Sequence, residues 1–471
     1  MTTKVTVIGA FGSAGTAVTG RLLEAHDEGE IDLDLTLIDD GDPGGGLCIL
    51  KGCMPSKEVL SAAAHRYQAR ADDRIDGVPE VDLEEVYETK QEHITSFAHH
   101  RRESVYGDAE RENVEFIRGT ANFVDDHTVE VDGREIESDY VVIATGSTLN
   151  VPDLPGLDDV DYTTSAEVLD RTEFPDTGVV MGFGTVSLEM VPYLSEAGGM
   201  DLSVIEHDDT PIDGVDERFG ETVVDMYEED WGVDVVDNAY EQRVEESDDG
   251  VRLVVEKGGE EFGIEADELF LFTGRRPNLD GMALENTSLS PGEGWVEDTM
   301  QAADSRDVYV VGDANGRTPI LHIAKEQGFL AAKNIVADSK GRDLEEFSHF
   351  DHKIIFSGAS VYPFARIGVT EREAQEEGID HVAVSRKASD DGVFKTKDAA
   401  KGLAKLVVGD DGTVLGWQAL HYQADTMAKT MQVVVKEGMD VRDVPDRAYH
   451  PTTTEVIDGL VNDAKDRLGL D

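Results

Sequence analysis

Cys48 and Cys53 are the only cysteines among the 471 residues of the chain, and four residues separate them. They lie in Gly44-Gly-Gly46-Leu-Cys48-Ile-Leu-Lys-Gly-Cys53-Met-Pro-Ser-Lys57, with glycines ahead and a proline just behind. On a helix this spacing sets the second sulfur slightly more than one turn from the first. A disulfide needs Cα atoms roughly 4.4–6.8 Å apart, so the pair can close if the turn is distorted. Closing so small a loop removes little chain entropy, and one bridge is no framework for a chain this long. A redox-active pair is the better reading, against two unrelated buried thiols or half of a metal site. With no further cysteine, a zinc site of three or four thiolates is excluded. Near the other end, Tyr449-His450-Pro-Thr-Thr-Thr-Glu455 sets a histidine beside a carboxylate that can orient it and stabilise its imidazolium, an acid–base unit. A His-Pro pair on its own also arises by chance.

The elements that must position these groups read as two nucleotide-binding units. Val5-Thr-Val-Ile-Gly9-Ala-Phe-Gly12-Ser13-Ala14-Gly15 is a strand pattern, a glycine turn and the start of a helix, where amide donors face a pyrophosphate. The turn reads G-x-x-G-x-x-G, one residue longer than G-x-G-x-x-G, so its register is open. The next strand, Leu33 to Ile38, ends in Asp39 with Asp40 beside it, acids placed where a ribose hydroxyl binds. Asp139 to Ser147 is a buried strand running into Ala144-Thr145-Gly146. A second strand–turn–helix follows at Gly182-Phe-Gly184-Thr-Val186-Ser187, and the strand after it ends in Glu206, at the spacing of a ribose ligand. A carboxylate there accepts from the 2′-hydroxyl of NADH and repels the 2′-phosphate of NADPH, with only His207 as a nearby base. Residues from about Ile75 to Val105 read as long polar helices, and their His93, His99 and His100 as solvated positions rather than metal ligands. From about Phe347 the composition shifts to an α+β domain. Thr370 is a candidate N-cap, and a hairpin is expected from Leu403–Val408 and Val414–Leu420.

Gly45 to Lys57 resembles the active-site helix of the flavoprotein disulfide reductases, the group containing dihydrolipoamide dehydrogenase, glutathione reductase and mercuric reductase. Leu47 stands where the pattern G-G-T-C-x-x-x-x-C-x-P-S-K has threonine. Thr273-Gly274-Arg275-Arg-Pro-Asn278, Gly312-Asp313 and His450-Pro-Thr extend the likeness over nearly the whole chain. The resemblance implies an α/β fold with two Rossmann-like domains, for FAD and NAD(P), and a C-terminal α+β dimerisation domain. The implied boundaries are 1–155 and 278–345 for the FAD domain, 156–277 for the NAD(P) domain and 346–471 for the interface domain. It further implies FAD and NADH or NADPH as cofactors, held by Gly9, Gly12, Ser13, Ala14, Gly15, Asp39, Asp40, Gly46, Lys57, Ala144, Thr145, Gly146 and, for the second dinucleotide, Gly182, Gly184, Val186 and Glu206. Gly274, Arg275, Gly312 and Asp313 complete that set, Asp313 on the ribityl chain. Cys53 is then the thiol nearest the flavin and Cys48 the interchange thiol. His450, oriented by Glu455, is the acid–base group, contributed by the other subunit of a homodimer, and Lys57 pairs with Glu189 beside the flavin.

The formal charge is −59, from 100 acidic and 41 basic residues. It argues against nucleic acid and anionic membranes and fits a solvated acidic shell in a halophile's enzyme, since the Debye length falls to about 3 Å at 1 M salt. No run of about 18 apolar residues is present, so no membrane span is expected. The chain enters directly into a strand pattern, and a cytoplasmic location is expected. Mercuric reductases carry a further cysteine pair near the C-terminus and lack the His-Pro-Thr motif, which disfavours mercury as substrate. The intact set of site residues disfavours a non-catalytic flavoprotein. The departures at Leu47 to Met54 from the lipoamide dehydrogenase pattern favour a small-molecule disulfide, bis-γ-glutamylcystine, reduced to maintain the thiol pool. Dihydrolipoamide dehydrogenase is the alternative.

Overall fold

A computed structural model describes residues 2–248, 250–447 and 449–470. The chain divides into two compact units, one of Met1–Pro55, Thr89–Asn150 and Arg275–His349, the other of Ser56–Glu88, Val151–Gly274 and Phe350–Asp471.

The first unit is built on a six-stranded sheet. Strand Thr3–Ile8 sits between Leu33–Asp39 and Tyr140–Ile143, parallel to both, with Ile8 in register with Ile38 and Ile143. Ser305–Val310 adds in parallel beyond Tyr140–Ile143. The strands read as near-continuous Val, Ile and Leu because both faces are buried; Val5, Val7, Leu35, Leu37, Val142 and Val310 are almost wholly covered. Helices Ser13–Asp27 and Leu321–Asp338 lie against each other on this core, and Gly328 lets the second helix approach Ala14 and Ala17. The common register brings Gly9, Asp39, Ala144 and Gly312 to the carboxyl ends of adjacent strands, where parallel sheets bind ligands.

The second unit repeats this arrangement in a parallel sheet ordered Asp234–Val236, Asp201–Ile205, Thr177–Met181, Glu268–Leu271, Thr163–Thr164. It also carries a five-stranded antiparallel sheet. In it Gly402–Gly409 pairs with Val414–His421, as the hairpin pattern anticipates, and helices Ala424–Lys436 and Glu455–Leu468 cover a core around Trp417 and Leu406. Thr370 caps its helix with a reciprocal bond to Glu373. The buried carboxylate of Glu196 is matched by Arg66, Arg70 at 2.7 Å and the Trp231 indole at 3.0 Å, as a charge removed from water requires.

Two local expectations change. The polar helix begins at Leu83 and ends at Asp108 rather than spanning from Ile75, because Gly77 and Pro79 break the chain ahead of it. The cysteines also do not share one helix. A single turn, Leu47–Leu50, holds Cys48, and a 19-residue helix starts at Cys53. Pro55 enforces the break: its ring would collide with the carbonyl of Lys51 in a continuous helix, whereas the first turn tolerates it. At Gly52 a Cβ would lie 3.1 Å from the Cα of Cys48, so the two segments close tightly on each other.

Candidate functional site

The break between the helices sets the geometry of the pair. Cys48 is half-buried and Cys53 is exposed at the start of its helix. No disulfide joins them; their thiols are hydrogen-bonded to each other. That bond, and next its own burial, push the Cys48 thiol above the ordinary range. A thiolate at a helix start faces the positive end of the dipole.

At the first glycine turn the register resolves. Gly9, at φ +94°, makes the tight turn and donates to Ile38 O; Gly12 caps the helix, and no side chain completes the cap for its first-turn amides. A Cβ at Gly15 would run into the carbonyl of Gly9, and one at Gly9 into that of Ala144. The additional residue is accommodated by Phe11, whose ring is buried and whose amide donates to Asp39 at 2.8 Å. Asp39 also accepts from Gly41 at 2.8 Å, and burial raises its pKa. Asp40 is exposed and accepts from the Thr120 hydroxyl at 2.9 Å. Gly46 caps the Cys48 turn, and a Cβ there would lie 3.2 Å from the Cα of Gly12.

Asp313, Ser147 and Arg275 form a chain in the same unit. Ser147 donates to Asp313 at 2.7 Å, and Arg275 donates to the Ser147 hydroxyl and carbonyl at 2.9 and 2.6 Å. The carbonyl of Gly146 accepts from Asn278 at 2.9 Å. Gly312 donates to Gln327 at 2.8 Å. Ser147 and Gln327 escape the motif reading; Ser147 directly follows Ala144-Thr145-Gly146 and was within its reach, whereas Gln327 carries no local signal.

In the second unit Gly182, at φ +88°, turns the chain into helix Thr185–Glu196, capped by Gly184 without a side-chain bond. Val186 lies in its first turn, and the buried Ser187 hydroxyl donates back to the Gly182 carbonyl. Glu206 follows its strand, accepts from the Asp208 amide at 2.9 Å and has its pKa raised by burial. His207 is already paired with Glu241 at 2.6 Å. Gly274 is left-handed, at φ +82°.

Lys57 and Glu189 meet at 2.6 Å. The lysine Nζ lies 4.3 Å from the centroid of the Phe356 ring, and the second Glu189 oxygen accepts from the Phe356 amide at 3.3 Å, so both partners are fixed. His450 Nδ1 lies 3.0 and 3.1 Å from the two oxygens of Glu455, which also accepts from the Thr452 amide at 3.0 Å. These contacts hold the Glu455 carboxyl below its ordinary value, His450 first. With Nδ1 so engaged, Nε2 is the nitrogen offered outward, and the imidazole is 80% exposed. Among the described residues no cluster of three or more His, Cys, Asp or Glu is placed to hold a metal ion, and no helix is long and apolar enough to cross a membrane.

Two parallel sheets, each ending in a glycine turn and an acid, together with a dithiol, define a class of dinucleotide-dependent thiol–disulfide redox proteins. Residues 3–328 match the sequence pattern described as pyridine nucleotide-disulphide oxidoreductase, and residues 357–461 that of the dimerisation domain of these proteins. The chain belongs to this family of enzymes, which use FAD and NAD(P)H. It is 28% identical to dihydrolipoyl dehydrogenases from Bacillus subtilis, over 88% of this chain and 87% of that one, and from Haloferax volcanii, over 90% of each. It is also 28% identical to a mercuric reductase from Bacillus cereus, over 85% of this chain but only 63% of that protein's length. The HOCl-induced flavoprotein disulfide reductase RclA from Escherichia coli shares the fold, with a TM-score of 0.82 and 20% identity over 98% of this chain and 99% of the other.

The residues present suit FAD. The buried Thr145 hydroxyl, at the strand end beside the first glycine turn, has no hydrogen-bond partner within the chain, among the described residues. At the turn itself Gly9 and Gly15 pack backbone on backbone with no room for a Cβ, which keeps side chains out of the turn a dinucleotide would approach.

Proposed function

We propose that the protein is an NAD(P)H-dependent reductase of a small-molecule disulfide, with bis-γ-glutamylcystine as substrate. One observation carries this reading: the chain's only two cysteines form a hydrogen-bonded dithiol at a helix start, Cys53 exposed and Cys48 half-buried. Cys48, once deprotonated, attacks one sulfur of the substrate disulfide; that bond breaks and the first product thiolate takes a proton from His450. Cys53 then attacks Cys48, closing the Cys48–Cys53 disulfide and expelling the second product thiolate. FAD, when bound, carries the two electrons from NAD(P)H that reopen the pair. Because the Cys48 thiol is pushed up in pKa, a base is needed at the start of each cycle, and His450, whose Nδ1 is fixed by Glu455, supplies it through Nε2. In a homodimer His450 serves the cysteine pair of a second copy. Lys57 and Glu189 orient the nicotinamide and flavin rings. Gly9, Gly12, Gly15, Asp39, Ala144 to Gly146, Arg275 and Asp313 hold the flavin nucleotide. Glu206, with His207 engaged by Glu241, favours NADH.

Dihydrolipoamide oxidation is the second reading, favoured by the near full-length coverage of the dihydrolipoyl dehydrogenases. Steady-state turnover in molar KCl, with NADH and NADPH against bis-γ-glutamylcystine and lipoamide in parallel, separates the two. Preference for bis-γ-glutamylcystine supports the first, and preference for lipoamide overturns it. His450→Gln is expected to lower kcat by about 10²–10⁴-fold, as loss of a general acid–base group does, while leaving the thiol pair reducible by NADH.

A further inference from the structure

The helix Leu83–Asp108 carries a cation that the motif reading did not single out. Arg101 is half-buried, and its Nη1 donates to the Phe11 carbonyl at 3.0 Å and the Thr16 hydroxyl at 3.3 Å. Both acceptors belong to the first glycine turn and the opening of its helix. Three residues earlier, Ala98 packs on the glycine loop before Cys48: a Cβ at Gly45 would lie 3.4 Å from its side chain. The guanidinium is thus fastened at the start of the helix that follows the first glycine turn, where no side chain caps the first-turn amides.

Several arginines of the same unit meet carboxylates: Arg118 with Asp42, Arg134 with Glu115, Arg276 with Asp280, Arg317 with Asp298; Arg101, like Arg275, does not. Arg101 contacts only neutral oxygens, and among the described residues its Nε and Nη2 have no acceptor within the chain. Burial lowers its pKa, an effect opposed only by its interaction with the Cys48 thiol, and no carboxylate relieves it although the chain holds 100 acidic residues. A partly desolvated cation with a free donor edge, beside backbone amides, is completed by an anion. The planar fork matches two phosphate oxygens at once, and the inserted Phe11 supplies the carbonyl that fixes one end of it.

We propose that Arg101 binds the diphosphate of the flavin dinucleotide. The inference rests on the family's use of FAD, not on which disulfide is reduced, and its test involves no turnover, so the two readings fail separately. Apoprotein is titrated in molar KCl with FAD and with riboflavin, which lacks phosphate, following flavin fluorescence. Arg101→Gln is expected to raise the FAD dissociation constant by about 10–100-fold, the range for a lost charged hydrogen bond, while riboflavin binds as to wild type. Arg101→Lys, which keeps charge without the fork, is expected to lie between, and it carries the test if the glutamine variant does not fold. Arg102→Gln is the control. FAD affinity within twofold of wild type in the Arg101 variants overturns the proposal. So does an equal loss for FAD and riboflavin, or a lower apoprotein melting temperature with FAD affinity unchanged, which would make Arg101 a mere fastener of the helix.

Discussion

The two glycine turns solve one problem with different materials. At the first, Gly9 and Gly15 press backbone on backbone, Asp39 is tied down by two amides, and Arg101 supplies positive charge. At the second, a Cβ at Gly182 would lie 3.1 Å from the Phe272 carbonyl, less crowded than at the first turn, Gly184 faces open space, and Glu206 is more loosely held at the corner than Asp39. There the nearby His207 is already hydrogen-bonded to Glu241, and Asp208 and Asp209 stand beside the corner. A dinucleotide that stays bound is served by the first design. One that must enter, react and leave in every cycle is served by the second, where tight binding would slow release.

Substitution of the glycines gives the largest contrast. Gly15→Ala has no room for its Cβ, and the expected product purifies without flavin or does not fold, read from the visible spectrum. Gly184→Ala is expected to fold and keep its flavin, since nothing lies within 4 Å of the added carbon, but to raise the KM for the coenzyme. If both lose flavin alike, the two turns are not differently built.

Glu206→Gln sharpens the comparison by about tenfold, the value of one charged hydrogen bond. The KM for NADH is expected to rise by that factor and that for NADPH to fall. Burial raises the folded pKa of Glu206, so its contribution to stability is present below its unfolded value near 4.5 and lost as pH rises through the folded one. At pH 7 the glutamine apoprotein should therefore be at least as stable as wild type, measured by thermal melting. A less stable variant would mean that Glu206 serves the fold and not the coenzyme.

Salt separates the two sites by a smaller, several-fold factor. Between about 2 M and about 0.1 M KCl the Debye length grows severalfold, and the uncompensated acids of the second corner repel the anionic coenzyme. Its KM is expected to rise more steeply than flavin affinity falls. Overall stability should fall as well, as a chain of charge −59 requires. Ser187→Ala should have the smallest effect, about 1 kcal/mol of stability from one neutral hydrogen bond, with flavin content unchanged.

Much of this was legible along the chain. Two strand–glycine–helix patterns, acids at strand ends, a lone cysteine pair and His450 with Glu455 are local signals, because backbone turns and apolar strands leave their mark in neighbouring residues. The Gly402–Gly409 hairpin and the Thr370 cap belong to the same kind. The break between the cysteines was local too, carried by Pro55, and was masked by reading their spacing as one helix. Arg101 and Gln327 were not legible. Each acts on a turn far away in sequence, Arg101 on Phe11 and Gln327 on Gly312, and nothing beside either residue marks it.

Sequence by itself determined the family, and the two strand–glycine–helix units and the lone cysteine pair stand out in it, since each depends on residue types at short spacing. Tertiary structure alone decided which of Asp39 and Asp40 is held by the turn, that His207 is spent on Glu241, and that Arg101 stands beside the first glycine turn without a carboxylate. Those are matters of charge in partly buried surroundings. Their sign and strength depend on which distant groups the fold brings within a few ångströms, and no spacing along the chain encodes that.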